Sequence, residues 1–182
     1  METWKILKRS FKGIVAVLAA LSLLYAVFLF VIFIKEPLFM PPLVDDKGEV
    51  ILRNDEYGDG FFGAKRKGGR KHIGIDIYGE VGAPVYASKS GWARARRFDG
   101  GYGNVIEIHH PDGYQTRYAH LDEFSISRSQ WVFQGQKIGT VGKSGNANYE
   151  GMIPHLHYEI RRGNIAHNPM RHIVRDSEQD KL

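Results

Sequence analysis

The sequence of 182 residues contains no cysteine. This absence excludes a disulfide scaffold and also excludes metal sites that are built from thiolates. Any metal ion must therefore be held by histidine, aspartate, glutamate or water. Periodic helical runs are also scarce, whereas glycine occurs 21 times. This composition predicts one compact, turn-rich domain with appendages.

Charged residues are absent from the stretch between Ile14 and Ile34. A helix rises about 1.5 Å per residue, so this stretch would span the roughly 30 Å hydrocarbon core of a bilayer. We interpret residues 13–34 as an uncleaved transmembrane helix. The alternative is a cleaved secretory signal, but a cut after Ala20 would leave another strongly apolar stretch.

The charges on either side of the apolar stretch predict its orientation. Lys35 and Glu36 follow the stretch and cancel each other, whereas four basic residues precede it, namely Lys5, Lys8, Arg9 and Lys12. The positive-inside rule then places residues 1–12 in the cytoplasm. We expect a single-pass protein of the cytoplasmic (inner) membrane whose main domain is periplasmic or extracellular.

Beyond the apolar stretch the chain is nearly neutral. The whole sequence has a formal charge of +5, but 21 basic and 19 acidic residues follow position 34, which leaves +2. Nucleic acid is therefore not an expected partner. One basic cluster contains Lys65, Arg66, Lys67, Arg70 and Lys71. It is interpreted as a solvated loop, with contact to anionic lipid or wall polymer as the alternative.

Proline, glycine and polar residues set the expected domain boundaries. Pro37, Pro41 and Pro42 prevent the helix from continuing. Residues 35–70 are expected to be a linker and an N-terminal extension that either wraps the domain or forms a mobile flap. The main domain is expected over residues 71–174, followed by a flexible polar tail over residues 175–182.

The main domain shows the pattern of short strands that are separated by turns. Asp99-Gly100-Gly101 and Pro111-Asp112-Gly113 are turn sequences that would join neighbouring strands as hairpins. The fold is therefore expected to be mainly β and antiparallel. Strands are predicted over residues 85–87, 91–98, 104–110, 114–120, 137–141 and 155–161.

Two of the extended stretches carry polar side chains that would share one face. His155, His157 and Glu159 alternate with apolar residues, so they would line one side of a strand. His72 and Asp76 are placed in the same way on another strand, where the isoleucines at positions 73, 75 and 77 would face the core. Catalytic zinc commonly takes three such protein ligands and leaves one position open.

Three motifs together resemble the LytM/lysostaphin-type zinc metallopeptidases of family M23. They are His72-x-x-x-Asp76, Tyr118-Ala119-His120 and His155-Leu156-His157-Tyr158-Glu159. The resemblance covers about residues 72–169. It implies a lysostaphin/LytM-like antiparallel β-sheet domain of the duplicated hybrid motif type. It also implies that the chain hydrolyses peptide cross-links of bacterial peptidoglycan, with stem peptides or cross-bridges as its substrate.

The resemblance also implies roles for individual residues. His72, Asp76 and His157 match the zinc ligands, whereas His120 and His155 match the catalytic pair. Which histidine of the pair is the general base stays open. Because all five residues are present, we expect a membrane-anchored zinc metalloendopeptidase. The alternative is a wall-binding or regulatory module that activates another hydrolase, as in degenerate relatives that have lost ligands. A regulatory protein partner is left open.

Several further residues near the motifs receive weaker interpretations. Tyr118 and Glu159 are candidates to support the site, although Tyr118 could equally be core packing. The glycine-rich stretch 142–146 lacks the spacing of a phosphate-binding loop and is expected to form a flexible rim of the cleft. The remaining histidines are expected to be surface residues at His109 and His110 and structural or solvated residues at His167 and His172.

Overall fold

The computed structural model describes residues 2–98 and 100–173, and the chain divides after Pro37 into two compact units. The first unit is helix α1 (Glu2–Lys35). Its segment Ser10–Ile32 is long and apolar enough to cross a membrane. Asp99 and the predicted tail over residues 175–182 lie outside the described residues.

The second unit is built from short strands. The helix α2 (Met170–Ile173) follows the last of them. Within the described residues the strands are β1 (Asn54–Asp55), β2 (Gly58–Asp59), β3 (Ile75–Tyr78), β4 (Pro84–Tyr86), β5 (Gly91–Arg97), β6 (Asn104–His109), β7 (Tyr114–Phe124), β8 (Ser129–Val132), β9 (Lys137–Val141), β10 (His155–Arg162) and β11 (Ile165–His167).

Nine of these strands form one antiparallel sheet in the described part of the chain. Its central order is β11-β10-β7-β6-β5-β8, while β3 pairs with β10 and β9 pairs with both β4 and β7. The strands β1 and β2 form a separate hairpin. The prediction of a mainly β, antiparallel fold is confirmed, and an apolar N-terminal helix precedes it.

The alternation of side chains along the strands explains where the core lies. On β5, Ala93 and Ala95 are buried, whereas Trp92, Arg94 and Arg96 are exposed, as expected for a strand with one solvated face. The strands β3 and β10 are buried on both faces. Tyr118 and Tyr158 pack in this core with ring centroids 5.3 Å apart, and both are fully buried. Each fully buried isoleucine of the same core, such as Ile75 or Ile77, contributes roughly 1.5–3 kcal/mol.

Each of the six segments that were predicted as strands overlaps a strand, but other strands were missed. The strands β8 and β11 and the β1–β2 hairpin were not predicted from the sequence. Ile73 was expected to face the core with Ile75 and Ile77, but its side chain is 39% exposed. The reason is that β3 begins only at Ile75, so the alternation does not extend back to Ile73.

His110 was expected at the surface, and this interpretation is wrong. Its side chain is only 5% exposed. Nδ1 donates to the carbonyl oxygen of Ser90 at 2.9 Å, and the hydroxyl of Thr116 lies 2.9 Å from Nε2. Burial lowers the pKa of His110 to about 4, so the ring is neutral. His109, which points to the other side of β6, is exposed as expected. His172 packs partly buried against Phe39, at 5.8 Å between ring centroids.

Replacing His110 with Gln should flatten the acid dependence of stability. The unfolded chain binds a proton on His110 near pH 6.5, whereas the folded chain binds it only near pH 4. The free energy of unfolding should therefore fall as the pH drops through this window, by about 1.4 kcal/mol per pH unit from this group. Urea unfolding of the full chain in detergent, followed by circular dichroism between pH 4 and 7, measures the slope.

The matched control for this experiment is His109→Gln, which removes an exposed histidine from the adjacent position. It should leave the slope unchanged. If His110→Gln retains the slope of the unaltered chain, acid destabilisation comes from other groups and His110 does not stay neutral in the fold.

Candidate metal and catalytic site

The register of β10 brings the predicted site residues together. On one side of β10, His157 is paired with Asp76 of β3. On its other side, His157 is paired with Ala119 of β7, so that His120 follows directly. His72 lies four residues before Asp76, just ahead of β3. All five residues predicted for the site line one cavity of about 800 Å³.

His72, Asp76 and His157 form a tight, buried cluster. Oδ1 of Asp76 lies 3.1 Å from Nε2 of His72 and 2.9 Å from Nδ1 of His157. The same two ring nitrogens are 3.0 Å apart. All three ligand atoms fall within 4.8 Å of one another. Two imidazole nitrogens and one carboxylate oxygen are a donor set that suits zinc, so these residues could hold that ion.

Each histidine of the cluster is oriented by a hydrogen bond from its other ring nitrogen. Nδ1 of His72 donates to the carbonyl oxygen of Phe61 at 2.9 Å, which turns Nε2 towards Asp76. Nε2 of His157 lies 3.1 Å from Oε1 of Glu159, which turns Nδ1 towards Asp76. Such contacts select the tautomer and the ring orientation that a metal ligand needs.

Glu159 anchors a buried network behind His157. Its side chain is fully buried and accepts hydrogen bonds from Tyr102 at 2.7 Å, Arg161 at 3.0 Å and Arg117 at 3.2 Å. Burial opposes ionisation, but His157, Tyr102 and Arg117 outweigh it and lower the pKa of Glu159 to about 2. Glu159, one of the two residues predicted to support the site, therefore contacts the cluster through His157.

Tyr118, the other candidate, is part of the core. Its hydroxyl accepts a hydrogen bond from the backbone amide of Ser88 at 2.9 Å and lies 3.0 Å from the hydroxyl of Thr116. The sequence had left open whether Tyr118 supports the site or packs in the core. These contacts show that Tyr118 packs in the core.

Asp76 is held from behind by two arginines that the sequence did not reveal. Its Oδ2 accepts from Nη2 of Arg66 at 2.9 Å and from Nη2 of Arg53 at 3.2 Å. Burial favours the neutral acid, but hydrogen bonds from His157 and His72 hold the pKa of Asp76 well below its usual range. One carboxylate oxygen thus faces the histidines while the other faces the guanidinium groups.

His120 and His155 lie beside the cluster with ring centroids 5.1 Å apart. Nδ1 of His120 donates to the carbonyl oxygen of Ser144 at 2.9 Å, and Nδ1 of His155 donates to that of Ile153 at 2.8 Å. Burial lowers the pKa of His120 to about 3 and also lowers the pKa of His155. Both rings are therefore neutral near pH 7, and each presents Nε2 as a proton acceptor.

The backbone around His120 is unusual and is fixed by a neighbouring loop. His120 has a φ of 62°, which is rare for a residue other than glycine and is often found at functional sites. Gly103 and Gly145 allow two loops to touch, because a Cβ on either would lie within 2.4 Å of the other loop's backbone. This contact holds Ser144 at His120. Of the glycine-rich stretch 142–146, which was predicted to form a flexible rim, Asn146 lines the cavity, and its backbone N donates to Gly101 O at 2.9 Å.

The sequence that forms this site is similar to sequences of known proteins. The model of Peptidase family M23 matches residues 70–169. The DD-carboxypeptidase/endopeptidase Mpg of Neisseria meningitidis serogroup B is 42% identical over 101 residues, which cover 56% of this chain and 22% of that protein. The murein hydrolase activator NlpD of Escherichia coli K12 is 40% identical over 113 residues, covering 62% of this chain and 28% of NlpD.

A solved structure supports the same assignment of the fold. The catalytic domain of the antimicrobial peptidase lysostaphin from Staphylococcus simulans is 30% identical, with a TM-score of 0.54. The match covers 61% of this chain and 86% of the lysostaphin domain. The lysostaphin/LytM-like resemblance is thus confirmed. The chain spans only about a quarter of the length of the two curated relatives.

Replacing Glu159 with Gln should weaken zinc binding by about 10- to 100-fold, because the carboxylate that orients His157 is lost. It should also lower the free energy of unfolding by about 3 kcal/mol, since Arg161 loses its buried partner. Competition with a chromogenic chelator measures zinc affinity, and urea unfolding measures stability.

The control for this variant is Glu107→Gln. Glu107 pairs with Arg117 at 2.6 Å in the same network, and within the described part of the chain it forms no hydrogen bond or ion pair with His72 or His157. Its loss should reduce stability and leave zinc affinity within about twofold. If Glu159→Gln binds zinc as tightly as the unaltered chain, Glu159 does not orient His157.

Proposed function

The chain belongs to peptidase family M23, and on that basis we propose that its domain is a zinc metalloendopeptidase that hydrolyses peptide cross-links of bacterial peptidoglycan. One observation carries the proposal: His72, Asp76 and His157 form a cluster that fits zinc, and His120 and His155 line the same cavity beside it. An assembly of this kind has no evident use in a protein that only binds the wall.

His72, Asp76 and His157 would hold the metal through Nε2, Oδ1 and Nδ1. When bound, zinc would supply a Lewis acid that polarises the scissile carbonyl and lowers the pKa of water. The surrounding residues keep this donor set ready. Phe61 and Glu159 fix the two rings, and the arginines behind Asp76 keep the carboxylate in position.

His120 and His155 would serve the proton transfers of the reaction. Both are neutral with Nδ1 engaged, so Nε2 of one ring can accept a proton from the attacking water. The same nitrogen can then release the proton to the amine of the departing peptide as the C–N bond breaks. The other ring, which is neutral with its Nδ1 engaged in the same way, would present Nε2 as an acceptor that holds the attacking water or the leaving amine in position. General acid–base assistance of this kind contributes about 10²- to 10⁴-fold in rate.

Helix α1 would anchor the enzyme in the cytoplasmic membrane. Its apolar segment Ser10–Ile32 has the length of a membrane span. The basic residues before this segment favour an N-terminus in the cytoplasm. The domain would then work on the outer side of the membrane, where peptidoglycan lies.

A second function is favoured by one relative. NlpD is described as a murein hydrolase activator and is 40% identical over 113 residues. A chain of this type could use its cleft to hold wall peptide or to act on a separate hydrolase. The two functions differ in whether the histidines are needed for chemistry.

Incubating the full chain, in detergent and with zinc, with purified peptidoglycan sacculi should release soluble or shorter cross-linked muropeptides. A chelator should stop this release because it removes the metal. Chromatography with mass spectrometry of the muropeptides measures the products. Identical profiles with and without the protein would contradict the peptidase proposal and favour the activator.

Variants of the two β10 histidines sharpen this test. His157→Ala should lose both zinc and cleavage, because it removes a ligand. His155→Ala should lose cleavage but keep most of its zinc, because it leaves the three donors intact. Metal analysis of the folded variants separates the two roles. Zinc loss in His155→Ala with retention in His157→Ala would mean that the roles are exchanged.

The proposed orientation predicts that a reporter phosphatase fused after Leu182 is active, because this enzyme works only outside the cytoplasm. A β-galactosidase fusion at the same position should be inactive. The control variant carries Gln at Lys5, Lys8, Arg9 and Lys12, and it should lose part of the orientation bias. Activity of the β-galactosidase fusion alone would reverse the topology.

A further inference from the structure

The cavity that holds the histidines has an unequal charge distribution. Among the described residues that line it, Asp76 is the single carboxylate. Five basic side chains line the same cavity: Arg53, Arg66, Lys67, Arg70 and Lys71. The basic cluster noted in the sequence is therefore largely part of this wall and is not simply a solvated loop.

A hairpin over residues 64–72 builds the wall. Arg66 N donates to Arg70 O at 2.9 Å, and His72 N donates to Ala64 O at 2.8 Å. The turn at its tip needs positive φ angles, which Gly68 and Gly69 supply at 78° and 74°. Because the hairpin leads directly into His72, its tip has a fixed position beside the cluster of His72, Asp76 and His157.

The basic residues of the wall fall into two groups. Arg53 pairs with Asp55 and Asp76, and Arg66 pairs with Asp76, so two carboxylates compensate these two charges. Lys67, Arg70 and Lys71 are exposed. Within residues 2–98 and 100–173, no Asp or Glu forms an ion pair with these three residues. The one hydrogen bond that their side chains form in this part of the chain runs from Arg70 Nε to Lys67 O at 3.3 Å. We call these three residues the basic tip.

The cavity also has an aromatic part. Tyr57 and Tyr149 both line it and contact each other edge to face, with ring centroids 5.2 Å apart. Met152 lies nearby and accepts a contact from Nη1 of Arg53 at 3.2 Å. A ligand that fills this cavity therefore meets apolar surface and uncompensated positive charge together.

We propose that the basic tip is a subsite for a free carboxylate of the peptide bound in the cavity. Charge-assisted hydrogen bonds from lysine and arginine to a carboxylate are stronger than neutral ones. The inference rests on the proposed function for the identity of the peptide. An anionic bilayer is a poorer occupant, because the tip lines the same concave cavity as His120 and His155.

The test compares two synthetic peptidoglycan peptides, each made of two cross-linked stem peptides, that differ only in one glutamate residue, which is a free acid in one and a carboxamide in the other. Binding to the zinc-loaded full chain in neutral detergent is measured by fluorescence anisotropy. The acid should bind about tenfold more tightly, since each partly exposed pair contributes roughly twofold. High salt should reduce the preference.

The variant Lys67→Gln/Arg70→Gln/Lys71→Gln should bind the two peptides within about twofold of each other. The matched control is Lys47→Gln/Arg128→Gln/Lys137→Gln. It removes the same number of charges at exposed positions that do not line the cavity, and it should keep the full preference. Equal binding of both peptides by the unaltered chain, or an unchanged preference in the tip variant, overturns the proposal.

Three further outcomes distinguish a failure of the subsite from a failure of the peptidase function. If the unaltered chain cleaves neither peptide but prefers the acid tenfold, the peptidase function fails and the carboxylate subsite stands. If it cleaves both peptides and binds them equally, the subsite fails and the peptidase stands. If the tip variant loses association with phosphatidylglycerol-containing micelles but keeps its peptide preference, the tip serves the membrane surface and the proposal is wrong.

Discussion

The register of β10 between β3 and β7 is the constraint on which the rest of the site depends. Because strand side chains alternate, His157 can face Asp76 only when Leu156 and Tyr158 face the core. A slip by one residue would move the histidines into the apolar core and the apolar residues into the cavity. Burial of the apolar core therefore also maintains the geometry of the cluster of His72, Asp76 and His157.

Charge is buried around this strand in compensated layers. Asp76 has histidines on one oxygen and arginines on the other, while Glu159 links His157 to Arg117 and Arg161. An isolated buried charge would cost several kcal/mol, so each group depends on its partners. The same layers leave the donor atoms of His72 and His157 pointed at one place before any ion binds.

The sequence predicted the antiparallel sheet and brought His155, His157, His72 and Asp76 to one site, because strand periodicity reports which residues share a face. It could not predict Arg53 and Arg66, which come from a segment without periodicity. Nor could it predict backbone partners such as the carbonyl of Ser144, since these depend on how loops meet. His110 was misplaced at the surface together with His109, although adjacent residues point to opposite sides, and on the inward side Ser90 and Thr116 are the partners of its ring.

Part of the cavity wall lies outside the segment of the chain that matches the family model. The family match begins at residue 70, whereas Arg53, Tyr57 and Arg66 precede it. Mutations in the preceding segment can therefore reshape the cavity while Asp76 on β3 and His157 on β10 stay unchanged. Selection could act on this segment separately, so proteins that share the sheet and its histidines need not bind the same ligands.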